Sequence, residues 1–179
     1  MSQVSGGSVT DRLAGRHLVL VGLMGSGKTT VGRVLAQRLR RQFYDSDAMI
    51  EAQEGRTVRE IFAAEGEDAF RAVETRVLRE ALAADDKAVI AAAGGVVLRA
   101  ENRAALRNAD ARVVWLRADP ALLLERVKSG THRPLLDDDP AGALQTMAAE
   151  RTDLYREVAD AIVTVDNRSV AEVVEAILR

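Results

Sequence analysis

The sequence predicts an α/β fold in which a parallel sheet carries helices on both faces. Short apolar runs alternate with longer segments of helical period, which is the pattern of βαβ units. The chain has 179 residues, of which 47% are hydrophobic and 29% charged, as expected for one soluble domain. It contains no cysteine, so disulfides, thiolate nucleophiles and Cys-ligated zinc are excluded.

Five of the apolar runs are expected to be strands, and helix start signals lie between them. Lys28 is expected to begin a helix. Thr57 and Glu60 form a capping box, and Gly66 is expected to end that helix before another runs through Leu82. Later helices are expected after Asp119, Asp139 and Ser169. The expected strands are residues 17–21, 43–46, 88–92, 112–116 and 161–165.

Charge and hydropathy narrow the possible partners. The chain has 25 basic and 27 acidic residues, a net charge of -2, so no overall basic field favours nucleic acid or an anionic membrane. No segment has the roughly eighteen apolar residues of a membrane span. Residues 1–15 lack an apolar core and are predicted to be a disordered leader. We therefore expect a cytoplasmic protein with one domain at residues 16–179. His17 and His132 lie far apart in sequence, so no histidine metal site is expected.

A glycine-rich segment carries the strongest chemical signal. Gly22-Leu23-Met24-Gly25-Ser26-Gly27-Lys28-Thr29 follows the first predicted strand and opens the first helix, as a phosphate-binding loop does. The glycines let successive backbone N–H groups point into one concavity, where they bind phosphate oxygens together with the helix N-terminus. Lys28 is expected to reach the β and γ phosphates, and Thr29 to ligate Mg²⁺.

Other residues distinguish the classes of nucleotide enzyme. A GTPase needs an Asn-Lys-x-Asp guanine motif, which does not occur here. A transport or helicase ATPase is longer and has an acid after its apolar strand, whereas the third predicted strand runs into Gly94-Gly95. The acids instead follow the second strand, at Asp45 and Asp47, where an open α/β sheet binds its ligands.

Several motifs in one order closely resemble the shikimate kinases. The resemblance implies a phosphate-loop (P-loop) kinase fold with a three-layer architecture, a five-stranded parallel sheet of order 2-3-1-4-5, a helical substrate-binding insert at residues 47–82 and a lid at residues 129–140. It also implies transfer of the ATP γ-phosphoryl group to shikimate by a chain that is commonly monomeric. The motifs are Gly22 to Thr30, Asp45-Ser46-Asp47, Glu60-Ile61-Phe62, Gly66-Glu67, Phe70-Arg71, Gly94-Gly95, Arg133-Pro134-Leu135-Leu136 and Arg151 to Tyr155.

The resemblance assigns the acceptor site to a small group of residues. Arg71 and Arg151 match the arginines that bind the shikimate carboxylate, and guanidinium suits a planar carboxylate because its donors engage both oxygens. Asp47 matches the acid that holds the ring hydroxyls and accepts a proton from the attacking one. Gly94, through its backbone N–H, and Gly95 complete the expected acceptor site.

The nucleotide site follows in the same way. Asp45 matches the acid that holds Mg²⁺ through water, and Arg126 the arginine beside the adenine. Arg133 matches the lid arginine that stabilises charge on the transferred group. Thr30 and Arg168 are expected to contact the nucleotide as well. The loop residues expected to bind ATP are Gly25, Ser26, Gly27, Lys28 and Thr29, and Lys28, Asp47 and Arg133 are the expected catalytic residues.

Two alternatives and one departure accompany this hypothesis. A kinase for gluconate or another hydroxy acid would use the same arginines, and a regulatory module would bind nucleotide without chemistry. Ala93 stands where the family usually has the first glycine of a triplet, and we expect its methyl group to be tolerated.

Overall fold

The computed structural model describes residues 15–127 and 139–179 and confirms the predicted α/β fold. The strands are β1 His17–Val21, β2 Phe43–Asp45, β3 Val89–Ala91, β4 Ala111–Arg117 and β5 Ala161–Thr164. Their order in the sheet is β2-β3-β1-β4-β5, as the family resemblance implies, and every pairing is parallel. All five strands were predicted to within one residue at each end.

Seven helices lie in the described residues. None of them is both long and apolar enough to cross a membrane. A short 3₁₀ turn, Val96–Leu98, follows β3. The helices are α1 Lys28–Leu39, α2 Ser46–Glu54, α3 Val58–Leu82, α4 Ala100–Asn108, α5 Pro120–Val127, α6 Pro140–Val158 and α7 Val170–Ile177.

Alternating side chains of β1 pack into two hydrophobic cores, one on each face of the sheet. Val19 and Val21 lie in the core covered by α3, α4, α5 and α6. Leu18 and Leu20 lie in the core covered by α1 and α7. All five residues of β1 are buried, as expected for the central strand of a sheet that is covered on both sides. The domain therefore has the three layers that the resemblance implies.

The helix start signals are confirmed where the structure describes them. Thr57 and Glu60 form the predicted capping box at α3, and Ser169 caps α7 with its Glu partner three residues on. Asp139 caps α6, and α5 begins directly after Asp119. Gly66 has φ 82° and ψ 179°, so α3 is broken there as predicted, but its two halves follow each other without a loop.

Helix α2 begins where the acids of β2 end. The carboxylate Oδ1 of Asp45 accepts from the N–H groups of Asp47 and Ala48, at 3.1 and 3.4 Å, and so caps the helix. Helices α2 and α3 share a small core of their own, which contains Ile50 and Phe70. This helical pair corresponds to the predicted insert at residues 47–82.

Two of the predicted segments lie largely outside the described residues. These are the leader, predicted at residues 1–15, and the lid, predicted at residues 129–140, which includes Arg133; residues 1–14 and 128–138 are not described. The single-domain division into leader, insert and lid stays a prediction.

Candidate active site

The phosphate loop joins β1 to α1 at the carboxyl edge of the sheet, in a conformation that depends on glycine. Gly22 has φ 144°, and a Cβ there would lie 2.5 Å from the backbone oxygen of Leu116. Gly27 precedes α1 at φ 93° and leaves the helix N-terminus without a side-chain cap. Both φ values are in the positive range that residues with a side chain rarely adopt. The first-turn N–H groups of α1 therefore remain available to an anion.

Two side chains from the first turn of α1 form hydrogen bonds beside this loop. The Nζ of Lys28 donates to the backbone oxygens of Gly22 and Leu23, at 2.7 and 2.9 Å, which places the ammonium group across the loop. The Oγ1 of Thr29 donates to Oδ2 of Asp45 at 2.6 Å. This hydrogen bond ties the phosphate loop to the end of β2.

Thr29 and Asp45 together form an oxygen-rich pair that suits magnesium. Hydroxyl and carboxylate oxygens are the ligands that Mg²⁺ prefers, and this ion usually keeps water and substrate phosphates in its remaining positions. Among the described residues, no cluster of three or more His, Asp or Glu side chains could hold a metal by itself. The hydroxyl and carboxylate oxygens of Thr29 and Asp45 fit a magnesium ion that would complete its coordination with water and phosphate oxygens.

Arg71 is buried at the far end of the cleft, between two acids of its own helix. Its Nε and Nη2 both donate to Oε1 of Glu67, at 3.2 and 2.9 Å, and Nη1 donates to Oε1 of Glu74 at 2.9 Å. Gly95 lies against the guanidinium, since a Cβ there would be 2.0 Å from Nη1. The two acids fix the orientation of Arg71, and its two other N–H groups, one on each terminal nitrogen, can bind an anion.

Arg151 enters the same cleft from α6. It is 4% exposed, and its Nη1 donates to the backbone oxygen of Gly94 at 3.3 Å. Its Nε is buried and has no hydrogen-bond partner within the described residues. A buried guanidinium with an unpaired N–H is costly, and an anionic or polar ligand would reduce that cost.

Glu74 gives this end of the cleft an unusual carboxyl group. It is 1% exposed, and its Oε2 has no hydrogen-bond partner in the part of the chain that the structure describes. Burial raises the pKa of Glu74 above its ordinary value, and the neighbouring Arg71 opposes that rise. Asp47 and Arg151 also lie close enough to act on the pKa of Glu74, which places all four charged groups in one region.

A single cleft of about 600 Å³ contains every predicted site residue that the structure describes. Arg126 also donates to the backbone oxygen of Gly25 at 3.3 Å, which brings it to the phosphate loop. Arg133 lies outside the described residues. The predicted residues that line the cleft are Gly25, Ser26, Gly27, Lys28, Thr29, Thr30, Asp45, Asp47, Arg71, Gly94, Gly95, Arg126, Arg151 and Arg168.

Sequence reasoning missed several residues of the cleft. Glu74 and Phe62 line it, and Phe62 also packs against the small core that α2 and α3 share. The rings of Phe62 and Phe70 lie 4.6 Å apart and form an apolar wall. The spacing of Glu67 and Glu74, four residues before and three after Arg71, is the one signal that could have identified them as its partners.

The departure at Ala93 has little consequence for the backbone. Ala93 is not among the described residues with positive φ, so the turn does not need a glycine there. Its N–H donates to Oγ of Ser46 at 2.7 Å. The methyl group is accommodated, as expected.

Comparison with known proteins decides the family. The shikimate kinase family model matches residues 24–179. The chain belongs to the shikimate kinase family. The shikimate kinase of Symbiobacterium thermophilum is 52% identical over 165 residues, which cover 90% of this chain and 94% of that protein.

Solved structures agree with this family. The shikimate kinase from Acinetobacter baumannii in complex with shikimate has a TM-score of 0.89 and 38% identity, with 94% of each chain covered. A gluconokinase from Sinorhizobium meliloti has a TM-score of 0.53 and 20% identity, with 91% of this chain and 89% of that one covered. The likeness to the gluconokinase shows a shared fold.

The predicted family, fold and activity are confirmed. The chain is an ATP-dependent kinase that phosphorylates shikimate in aromatic amino-acid biosynthesis. ATP is its co-substrate. The Mg²⁺ ion, the monomeric and cytoplasmic state and the absence of nucleic-acid or membrane partners stay predictions, as do the roles of the individual site residues.

Proposed function

We propose that this shikimate kinase transfers the γ-phosphoryl group of ATP to a ring hydroxyl of shikimate and gives shikimate 3-phosphate, with Mg²⁺ and the residues of this one cleft. The observation that carries the proposal is the continuity of the cleft. The phosphate loop, two buried arginines and the acids at the end of β2 and the start of α2 line the same cleft. A phosphate donor and an anionic acceptor thus fit in one cleft.

The nucleotide end binds phosphate through the loop and the N-terminus of α1. The backbone N–H groups from Gly25 to Thr30 bind phosphate oxygens, and Lys28 moves from the loop carbonyls to the β and γ phosphates. Arg126 and Arg168, both lining the cleft, contact the nucleotide. Thr29 and Asp45 hold a magnesium ion, which neutralises charge on the phosphates when it is bound.

The acceptor end binds the shikimate carboxylate through Arg71 and Arg151. Both guanidinium groups are buried, so their attraction to a carboxylate is weakly screened by solvent. Glu67 and Glu74 hold Arg71 in place and reduce the local positive charge. A planar anion that engages both arginines is favoured over a neutral sugar, because Glu67 and Glu74 pair with Arg71 and leave the charge of Arg151 for the anion.

Asp47 is proposed to orient the attacking hydroxyl and to accept its proton. It lines the cleft two residues after Asp45, so the hydroxyl and the transferred phosphoryl group are held close together. Positioning of this kind accounts for much of the acceleration in phosphoryl transfer. Arg133 of the lid is proposed to stabilise charge on the transferred group, and lid closure excludes water so that ATP is not hydrolysed.

A coupled assay with purified protein tests the substrate. Shikimate, gluconate and nucleoside monophosphates are offered separately with ATP, with and without Mg²⁺, and ADP release is followed. Turnover of shikimate alone, dependent on Mg²⁺, is the expected result. Turnover of gluconate but not shikimate would refute the proposal.

Calorimetry tests the acceptor arginines. Arg71→Ala and Arg151→Ala should each weaken shikimate binding by at least tenfold, because each removes a charge-assisted contact. Arg79→Ala is the control, since Arg79 lies on the same helix as Arg71 but on the exposed surface, paired with Glu101. Unchanged binding in either arginine variant would remove that residue from the site.

A further inference from the structure

The turn after β3 lies between the two halves of the cleft. A Cβ on Gly94 would be 3.3 Å from the backbone nitrogen of Met24 and 3.4 Å from the oxygen of Gly22, so the turn contacts the phosphate loop. On its other side, Gly95 contacts the guanidinium of Arg71. A tilt of the Gly94–Gly95 peptide would therefore change the acceptor site and its distance from the phosphates.

One buried hydroxyl group fixes this peptide. The Oη of Tyr155 donates to the backbone oxygen of Gly94 at 2.5 Å, and the Nη1 of Arg151 donates to the same oxygen. Arg151 and Tyr155 are four residues apart on α6, so they lie on one face of the helix. Both acceptor positions of the Gly94 oxygen are filled by donors from this face.

The ring of Tyr155 is itself firmly held. It is 1% exposed and stacks on Trp115 of β4, with ring centroids 5.5 Å apart and an interplanar angle of 26°. Trp115 pairs in register with Val21, the residue that precedes the phosphate loop. Burial raises the pKa of the Tyr155 hydroxyl, although Arg151 opposes the rise, so the group stays protonated and remains a donor.

We propose that Tyr155 is a positioning residue for shikimate binding, which acts by holding the Gly94 carbonyl so that Arg151 and Gly95 keep their places in the acceptor site. Tyr155 lies behind the cleft wall and acts through these two residues. Without its hydroxyl, the Gly94 oxygen keeps only the Arg151 donor. The peptide and the guanidinium can then shift together, and the arginine must satisfy both the carbonyl and the substrate. The inference rests on the proposed role of Arg151.

The test is Tyr155→Phe, which keeps the ring and its stack on Trp115 and removes only the hydroxyl. We expect the KM and Kd for shikimate to rise about fivefold to tenfold, with the upper value equal to about 1.4 kcal/mol. The KM for ATP and kcat should stay within twofold, since the phosphate loop keeps its own hydrogen bonds. Tyr44→Phe is the matched control, because Tyr44 is the other tyrosine of the chain and does not line the cleft.

Each possible result with these variants either supports or refutes the inference about Tyr155. A Tyr155→Phe enzyme that melts at a lower temperature but keeps the wild-type KM for shikimate would refute the inference and leave Tyr155 a structural residue. Equal losses in both KM values or in kcat would also refute it. If the protein is too unstable to assay, Trp115→Phe, which loosens the stack and keeps the hydroxyl, should raise the shikimate KM in the same direction, and no rise would refute the inference.

Failure of the proposed acceptor site can be distinguished from failure of the inference about Tyr155. If Arg151→Ala binds shikimate normally, the acceptor site is wrong and the inference falls with it. If Arg151→Ala loses binding while Tyr155→Phe does not, only the inference falls.

Discussion

Gly95→Ala should impair shikimate binding by adding one methyl group. Gly95 has φ −89° and ψ −4°, a conformation that is allowed for alanine, so the substitution acts mainly through its side chain. The added Cβ would lie 2.0 Å from Nη1 of Arg71, 2.5 Å from Cζ and 2.7 Å from Nη2. The guanidinium has to move by about 1.4 Å or more to reach ordinary contact distance.

The magnitude follows from what holds Arg71. Its guanidinium pairs with Glu67 and Glu74, and its side chain is 6% exposed, so it has little room to retreat. Displacing it costs at least one charge-assisted contact with the substrate, about 1.5–3 kcal/mol. Since 1.4 kcal/mol is a factor of ten, the shikimate Kd should rise by roughly 10- to 100-fold.

The assay compares Michaelis constants and calorimetric affinities for both substrates. The KM for ATP should change less than twofold, because the new methyl group points at Arg71. Ala93→Gly, two residues earlier in the same turn, is the control. It should lower stability by about 0.4–1 kcal/mol through backbone entropy and leave the KM for shikimate unchanged. A Gly95→Ala enzyme with a shikimate KM within twofold of wild type would show that Arg71 does not bind the carboxylate from the observed position.

Three further predictions concern the metal, the lid and pH. Asp45→Asn should raise the Mg²⁺ concentration for half-maximal rate by about 10- to 100-fold, measured by Mg²⁺ titration, while α2 persists because Asn is also a good helix cap. Arg133→Ala should lower kcat by about 100-fold and change shikimate affinity little. Steady-state kinetics and calorimetry measure these two effects separately. A loss of shikimate affinity without a loss of kcat would contradict the prediction. Burial lowers the pKa of His17 below 6.5, and Nδ1 accepts from the N–H of Ala88. As pH falls through 6.5, the unfolded chain therefore binds more protons than the folded chain, and the folded state loses stability. In urea unfolding, the free energy of unfolding should fall more steeply with decreasing pH in wild type than in His17→Asn.

The fold was predictable because its signals are local. Alternating apolar runs marked the strands, and side-chain caps such as Thr57 marked helix starts. Helix α4 was not predicted from the sequence because its first turn has no side-chain cap. The start of α2 was also missed, because Asp45 acts at once as the end of β2, a helix cap and the acceptor of the Thr29 hydroxyl. The sequence pattern around Asp45 does not indicate that one side chain has all three structural roles.

The charged groups of the site were predictable, but the residues that support them were not. Arg71, Arg151 and Tyr155 belong to motifs, but the contacts that Glu74 and Tyr155 make exist only in the folded chain. Tyr155 lies 61 residues from Gly94 in sequence, and α6 and the β3 turn meet only after the sheet has formed. No periodicity or spacing indicates such a hydrogen bond.

Two short connections explain how the cleft holds donor and acceptor in one geometry. On one side, the hydroxyl of Thr29 joins the phosphate loop to Asp45, and α2 begins there with Asp47 in its first turn. On the other side, Gly94 contacts the loop, and its carbonyl binds α6. Because both connections start at the phosphate loop, they tie the residues of the proposed acceptor site to the residues of the proposed phosphate site. If the lid excludes water and supplies charge as proposed, its loss should cost rate far more than shikimate affinity.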